Sequence, residues 1–208
     1  VPDDYRGKDI SSVWYNSRFY RAGLLWINNH FMIRDIHMFD ASIESDYLRK
    51  AGTTSYCEYI TPPFVDGFLW STKKDKAGLR LVTFKADGTS KEIPVKSHEC
   101  VESGNGILTV LCNTDYGQFK LLFNEDAMTV SFAPATGLEP LKWALEFTAV
   151  KKDNLPFTKI SDKAISASHR GYDYNVRLLE GNFISKDFSK WQILPQDDRL
   201  VISGVITK

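Results

Sequence analysis

Between Gly78 and Val150 apolar and polar residues alternate with a period of two, and a turn signal breaks the alternation about every ten residues. Phe119, Leu121 and Phe123 share one face, while Gln118, Lys120 and Asn124 share the other. Met128, Val130 and Phe132 alternate with Thr129 and Ser131. Leu141, Trp143, Leu145 and Phe147 oppose Lys142, Glu146 and Thr148. Successive side chains of a strand point to opposite faces, so this pattern predicts half-buried antiparallel strands. The clearest hairpin pairs Leu79–Lys85 with Lys91–Val95 through Asp87-Gly88, a dipeptide suited to a type I′ turn. A second pairs His98–Glu102 with Ile107–Cys112 through Ser103-Gly104-Asn105-Gly106. Ile107–Leu111 is apolar on both faces and predicts a strand covered on both sides.

The flanking segments read the same way. Residues 1–18 predict an irregular lead-in, or an edge strand around Val13–Tyr15. Phe19–Ile27 and Phe31–Phe39 are strands joined by Asn28-Asn29. Ala41–Lys50 is the one helix candidate, with Ser42 as its cap, Arg49-Lys50 at its end and Gly52 as its stop. Ser55–Ile60 and Phe64–Trp70 are further strands, the latter with a bulge expected at Gly67, and Lys73–Lys76 forms a charged turn. Phe157–Ile160, Ala164–Ser168 and Val176–Leu179 follow. Phe188–Leu194 and Arg199–Ile206 predict a closing hairpin through Pro195–Asp198. Together these predict an all-β chain: a single antiparallel β-sandwich over residues 1–208, meander-like, with at most one short helix.

Composition narrows the partners. Lys plus Arg equals Asp plus Glu, at 26 each, which argues against nucleic acid or an anionic membrane surface as the main partner because both favour a basic face, while leaving room for a local basic patch. No apolar run is long enough to span a bilayer. The start Val1-Pro2-Asp3-Asp4 suits a mature N-terminus after cleavage, and the expected location is extracytoplasmic. The three cysteines, Cys57, Cys100 and Cys112, are not at metal-ligand spacing, so neither a metal nor another cofactor is expected. A two-residue turn at Gly104-Asn105 or Asn105-Gly106 would point Cys100 and Cys112 to opposite faces, whereas an odd-length loop would bring them together. Buried free thiols are the expectation.

Two constellations could carry chemistry. In the first, Trp26, His30, Arg34, Asp35 and His37, the His and Asp can form an acid/base pair and the Arg can neutralise a substrate carboxylate. His30 and His37 point to opposite faces of a continuous strand and cannot ligate one metal without a bulge. The competing reading is that Asp35 and His37 satisfy polar partners at the sandwich edge. The second is His169, Arg170, Tyr172, Asp173 and Tyr174. A Tyr–His–Arg set suits β-elimination on a uronic acid, and a Tyr–Asp–Arg set suits a sugar cleft. Its competing reading is a loop stapled by a buried Tyr hydroxyl and an Arg–Asp pair. Among the scattered tryptophans, Trp143 is core by its periodicity, while Trp26, Trp70 and Trp191 join Arg34, Tyr172, Asp173 and Tyr174 as candidate ligand-binding residues. Asp35, Asp66, Glu146 and Asp173 are equally available as carboxylates for glycoside hydrolysis. The sequence holds no Gly-x-Ser-x-Gly, His-Glu-x-x-His or P-loop motif.

The Phe19–Trp26 strand (Phe-Tyr-Arg-Ala-Gly-Leu-Leu-Trp) and the Gly117–Trp143 stretch resemble β-sandwich domains of secreted bacterial carbohydrate-active proteins, including galactose-mutarotase-like supersandwich domains. The all-β meander, the aromatic content, the neutral charge and the missing catalytic motifs point to a non-catalytic domain that binds a glycan or packs against a catalytic module. The alternative is a small polysaccharide lyase or glycoside hydrolase, with His169, Arg170 and Tyr172, or Asp35 and His37, converging in one cleft. A third reading is a lipocalin-like barrel carrying an apolar ligand.

Overall fold

A computed structural model describes residues 5–6, 9–43, 51 and 61–208. The described residues form two antiparallel sheets and contain no helix. The first sheet holds β1 (Tyr5–Arg6), β2 (Ile10–Asn16), β3 (Tyr20–Ile27), β4 (His30–Met38), β5 (Pro63–Asp66), β6 (Gly78–Phe84), β7 (Ser90–Glu92), β12 (Trp143–Thr148), β16 (Asn182–Asp187) and β17 (Lys190–Leu194). The second holds β8 (Ser97–Ser103), β9 (Ile107–Asn113), β10 (Gly117–Phe123), β11 (Ala127–Pro134), β13 (Phe157–Ile160), β14 (Ala164–His169), β15 (Tyr172–Glu180) and β18 (Arg199–Ser203). The order of the first is β1-β2-β3-β4-β6-β12-β17-β16, with β5 added to β4 and β7 to β6. The second runs β13-β14-β15-β18-β11-β10-β9-β8.

The alternation read from the sequence sets which residues face inward. Phe119, Leu121 and Phe123 meet Leu79, Leu81, Leu145 and Phe147 from the other sheet in one continuous core. Trp191 stacks on Phe147 with ring centroids 4.7 Å apart and on Phe64 at 5.3 Å, and burying one such ring contributes roughly 1.5–3 kcal/mol. Among the described residues both sheets keep open edges and these rings occupy the interior, so the lipocalin-like barrel is corrected to an open, filled sandwich.

Several local expectations change. In the Asp87-Gly88 turn only Gly88 has positive φ (78°), and the Asp87 carboxylate accepts from the Thr89 N–H and hydroxyl. This is a turn with a glycine bulge rather than type I′, which needs two positive φ values. Ser103 pairs with Ile107, so the loop holds the odd number of residues that puts Cys100 and Cys112 on the same inner face. Both are buried, and burial, then the neighbouring Cys100, pushes the Cys112 thiol well above its usual range. β9 lies next to the edge strand β8 and leaves Thr109 and Leu111 half-buried, so it is not covered on both faces. β17 and β18 belong to different sheets, so Pro195–Asp198 is a crossover and not a hairpin turn. Ala41 and Gly52 bracket the expected helix. Residues 41–43 form a turn, while 44–50 and the Ser55–Ile60 strand lie outside the described residues.

Candidate functional site

The expected Phe64–Trp70 strand ends at Asp66, and the chain turns through Gly67–Trp70. The cause is local. Asp66 Oδ1 accepts hydrogen bonds from Phe68 N (2.9 Å) and Leu69 N (2.7 Å), so its side chain takes the amides that a continuing strand would have paired. The Trp70 amide donates to Asp66 O at 3.3 Å. Asp35 Oδ1 accepts from Gly67 N at 3.2 Å. The Ser71 hydroxyl donates to Gly67 O and accepts from Ala77 N. Gly67 lies flat on Arg34: a Cβ there would sit 2.3 Å from Arg34 Cγ and 2.7 Å from Arg34 O. Trp70 then returns to the core, edge-on to Phe147 and Phe157, and its carbonyl accepts from Val150 N and Lys151 N.

A rigid turn follows from these bonds, and it presents two large apolar side chains to water. Phe68 is 75% exposed and Leu69 54%. They line a hollow of about 590 Å³ on the outer face of the first sheet, together with Leu25, Arg34, Lys73, Lys76 and Lys151. The residues lining it include four cations and no carboxylate.

Beneath the turn lies a buried polar cluster. Asp35 of β4 and Asp66 of β5 are direct cross-strand partners, and both are almost fully buried. His37 Nε2 lies 3.3 Å from Asp66 Oδ2, and His37 Nδ1 lies 2.9 Å from Thr61 Oγ1. Arg34 Nε approaches Asp35 Oδ2 at 3.4 Å. Burial raises the Asp35 carboxyl above its usual range against the lowering effect of Arg34, and the Asp66 charge raises it further. Burial also acts to raise Asp66, but the His37 hydrogen bond and the Leu69 and Phe68 amides outweigh it and hold Asp66 below the usual range.

The two constellations of the sequence meet here in part. The Tyr174 hydroxyl donates to Pro63 O at 2.7 Å and ties β15 to β5. His169, half-buried at the end of β14, lies within electrostatic range of His37 and Asp66. Burial, then Arg170 and His37, depresses its pKa, opposed by Asp66. Arg170 takes positive φ (52°) in the β14–β15 turn, Tyr172 lies near Asp40 and Ser42, and Asp173 is exposed. His30 is turned away and pairs with Glu92 at 3.0 Å. Glu146 is held by Gln192 (2.6 Å) and Lys190 (3.2 Å) elsewhere on the first sheet.

The residues expected to hold a sugar ring are spent in the core. Trp26, Trp70 and Trp191 are 3%, 2% and 1% exposed, and Tyr174 is 1% exposed; among the tryptophans only Trp14 reaches the surface, at 39%. Trp26 stacks on His98 instead, with centroids 3.9 Å apart. Sequence reasoning missed Phe68, Leu69 and Lys151. The Asp66-Gly67 dipeptide was the available turn signal, followed at once by the three large apolar residues Phe68, Leu69 and Trp70, with lysines from Lys73 onward.

No family model and no curated protein matches the chain. Among solved structures it is similar to the crystal structure of an active YidC insertase with the first transmembrane domain resolved, at 10% identity and a TM-score of 0.47. The match covers 97% of this chain and 40% of that one, so the chain spans about two-fifths of the length of the protein it matches. The expectation of a carbohydrate-binding or glycan-processing domain is corrected on the rings themselves: Trp26, Trp70, Trp191 and Tyr174, assigned to the sugar, are buried in the core. No helix among the described residues is long and apolar enough to cross a membrane.

Proposed function

We propose that this domain docks reversibly onto an anionic lipid surface through the Phe68–Leu69 turn. One observation carries the reading: two adjacent, exposed apolar side chains stand on a rigid turn beside Arg34, Lys73, Lys76 and Lys151. Apolar side chains at a tip with lysines around them suit the boundary between acyl chains and headgroups, where the rings enter and the ammonium groups stay with phosphate. A protein partner fits less well, because the centres of protein interfaces are depleted in lysine.

The magnitudes select reversible attachment. Each lysine near an anionic surface contributes about 1 kcal/mol, and partial burial of Phe68 and Leu69 contributes roughly 3 kcal/mol together. The total of about 6 kcal/mol corresponds to a dissociation constant of tens of micromolar. The neutral net charge of the chain does not oppose this, since screening limits the contribution to charges within about 10 Å of the surface.

The test is co-sedimentation in the presence of a chelator with vesicles of phosphatidylcholine mixed with phosphatidylglycerol, and with phosphatidylcholine alone. The chain is expected to sediment with the anionic vesicles, to release as salt rises from about 0.1 M to about 1 M, and to lose binding at least tenfold in Phe68→Ser/Leu69→Ser. Equal binding by that variant, or capture by polyglutamate with none by vesicles, overturns the reading.

A further inference from the structure

The cluster beneath the turn has a composition that the turn alone does not require. Asp35 and Asp66 face each other directly across β4 and β5, a placement that is destabilising for two like charges and more so when both are buried. Among the described residues the cation on Asp35 is Arg34, at 3.4 Å and itself partly exposed. Backbone amides already occupy Asp66 Oδ1, which leaves Oδ2 turned toward His37.

The geometry points to a divalent transition-metal site formed by Asp35, His37 and Asp66, each of which offers one ligand atom, all within 4.8 Å of one another. The 3.3 Å separation of His37 Nε2 and Asp66 Oδ2 accommodates an ion about 2.1 Å from both, at an angle of about 104°, close to tetrahedral. Thr61 completes the logic. In the tautomer whose Nδ1–H donates to Thr61 Oγ1, the Nε2 lone pair is available to a cation placed between it and Asp66 Oδ2, which would replace the hydrogen bond His37 otherwise gives to Asp66. An imidazole beside two carboxylates selects Zn²⁺ or Mn²⁺ over Ca²⁺, which prefers an all-oxygen shell. Three protein ligands leave a fourth position for water. Loss of charge repulsion under the turn would stiffen the segment that carries Phe68 and Leu69, but the site stands independently of lipid docking.

Titration calorimetry of the 208-residue chain with Zn²⁺ and with Mn²⁺, after chelator treatment and without vesicles, tests this. Asp66→Asn keeps an oxygen to cap the Phe68 and Leu69 amides, and His37→Gln keeps hydrogen-bonding capacity, so both variants are expected to fold, as circular dichroism checks. One equivalent of metal is expected to bind wild type, with affinity lowered at least about 100-fold in both variants and about 10-fold in Thr61→Val. Phe68→Ser/Leu69→Ser is expected to bind metal as wild type does, which separates this result from that of docking. No stoichiometric binding by wild type, or binding unchanged in Asp66→Asn and His37→Gln, overturns the site.

Discussion

Asp66 does two jobs with its two oxygens. Oδ1 caps the amides of Phe68 and Leu69, and Oδ2 faces His37. The capping oxygen ends β5 and exposes the next two side chains, so one carboxylate determines where the surface feature lies. His169 is the neighbouring group whose titration reports on this cluster. The groups facing it are Arg170, His37 and Asp66, and its folded pKa is depressed below the ordinary 6.5, first by burial. A depressed value means that the folded chain resists protonation. The stabilising contribution is therefore present above the unfolded pKa and is lost as pH falls through the folded one. Denaturation midpoints of wild type and His169→Gln, compared in chelator from about pH 8 to about pH 5, are expected to move in favour of the variant as pH falls through about 6.5. A gap that stays constant over that range would contradict the environment assigned to His169.

Each element keeps its place through a few bonds that reach far along the chain. The Tyr174 hydroxyl, buried against Pro63 O, joins the second sheet to the base of β5, and burial pushes that phenol above its usual range. Tyr174→Phe leaves a buried carbonyl without its donor, so a loss of about 1–3 kcal/mol in denaturant unfolding is expected, and no measurable loss would contradict the bond. At this scale the sequence was readable wherever alternation was clean. Gly117–Phe123 is a strand with Phe119, Leu121 and Phe123 on its dry face, as the alternation gives, and Phe157–Ile160 is a strand at its expected boundaries. Phe64–Trp70 misled because it is apolar almost throughout, and periodicity cannot separate a strand from a strand followed by a turn. The Asp66 side chain decided the matter by competing for its own backbone.

In the whole molecule, two sheets meet over one aromatic core, and that core consumed most of the tryptophans that sequence alone left available for a ligand. The meander and the sandwich were legible because turn signals and alternation are local. The pairing of β4 with β5, which opposes Asp35 and Asp66, and the approach of His169 to them were not legible, since both depend on strand order rather than on spacing in the chain. The same holds for Lys151, which reaches the turn because its amide and that of Val150 bond to Trp70 O. The central claim is that this turn enters an anionic lipid interface. Its most direct measurement places an environment-sensitive fluorophore on Leu69→Cys in a Cys57→Ser background, where the remaining thiols, Cys100 and Cys112, are buried. Phosphatidylglycerol-containing vesicles should then blue-shift the emission and raise its intensity, while the same label on Ser185→Cys, on an exposed edge-strand residue, should stay unchanged. An unchanged spectrum at position 69, or equal shifts at both positions, would contradict the account.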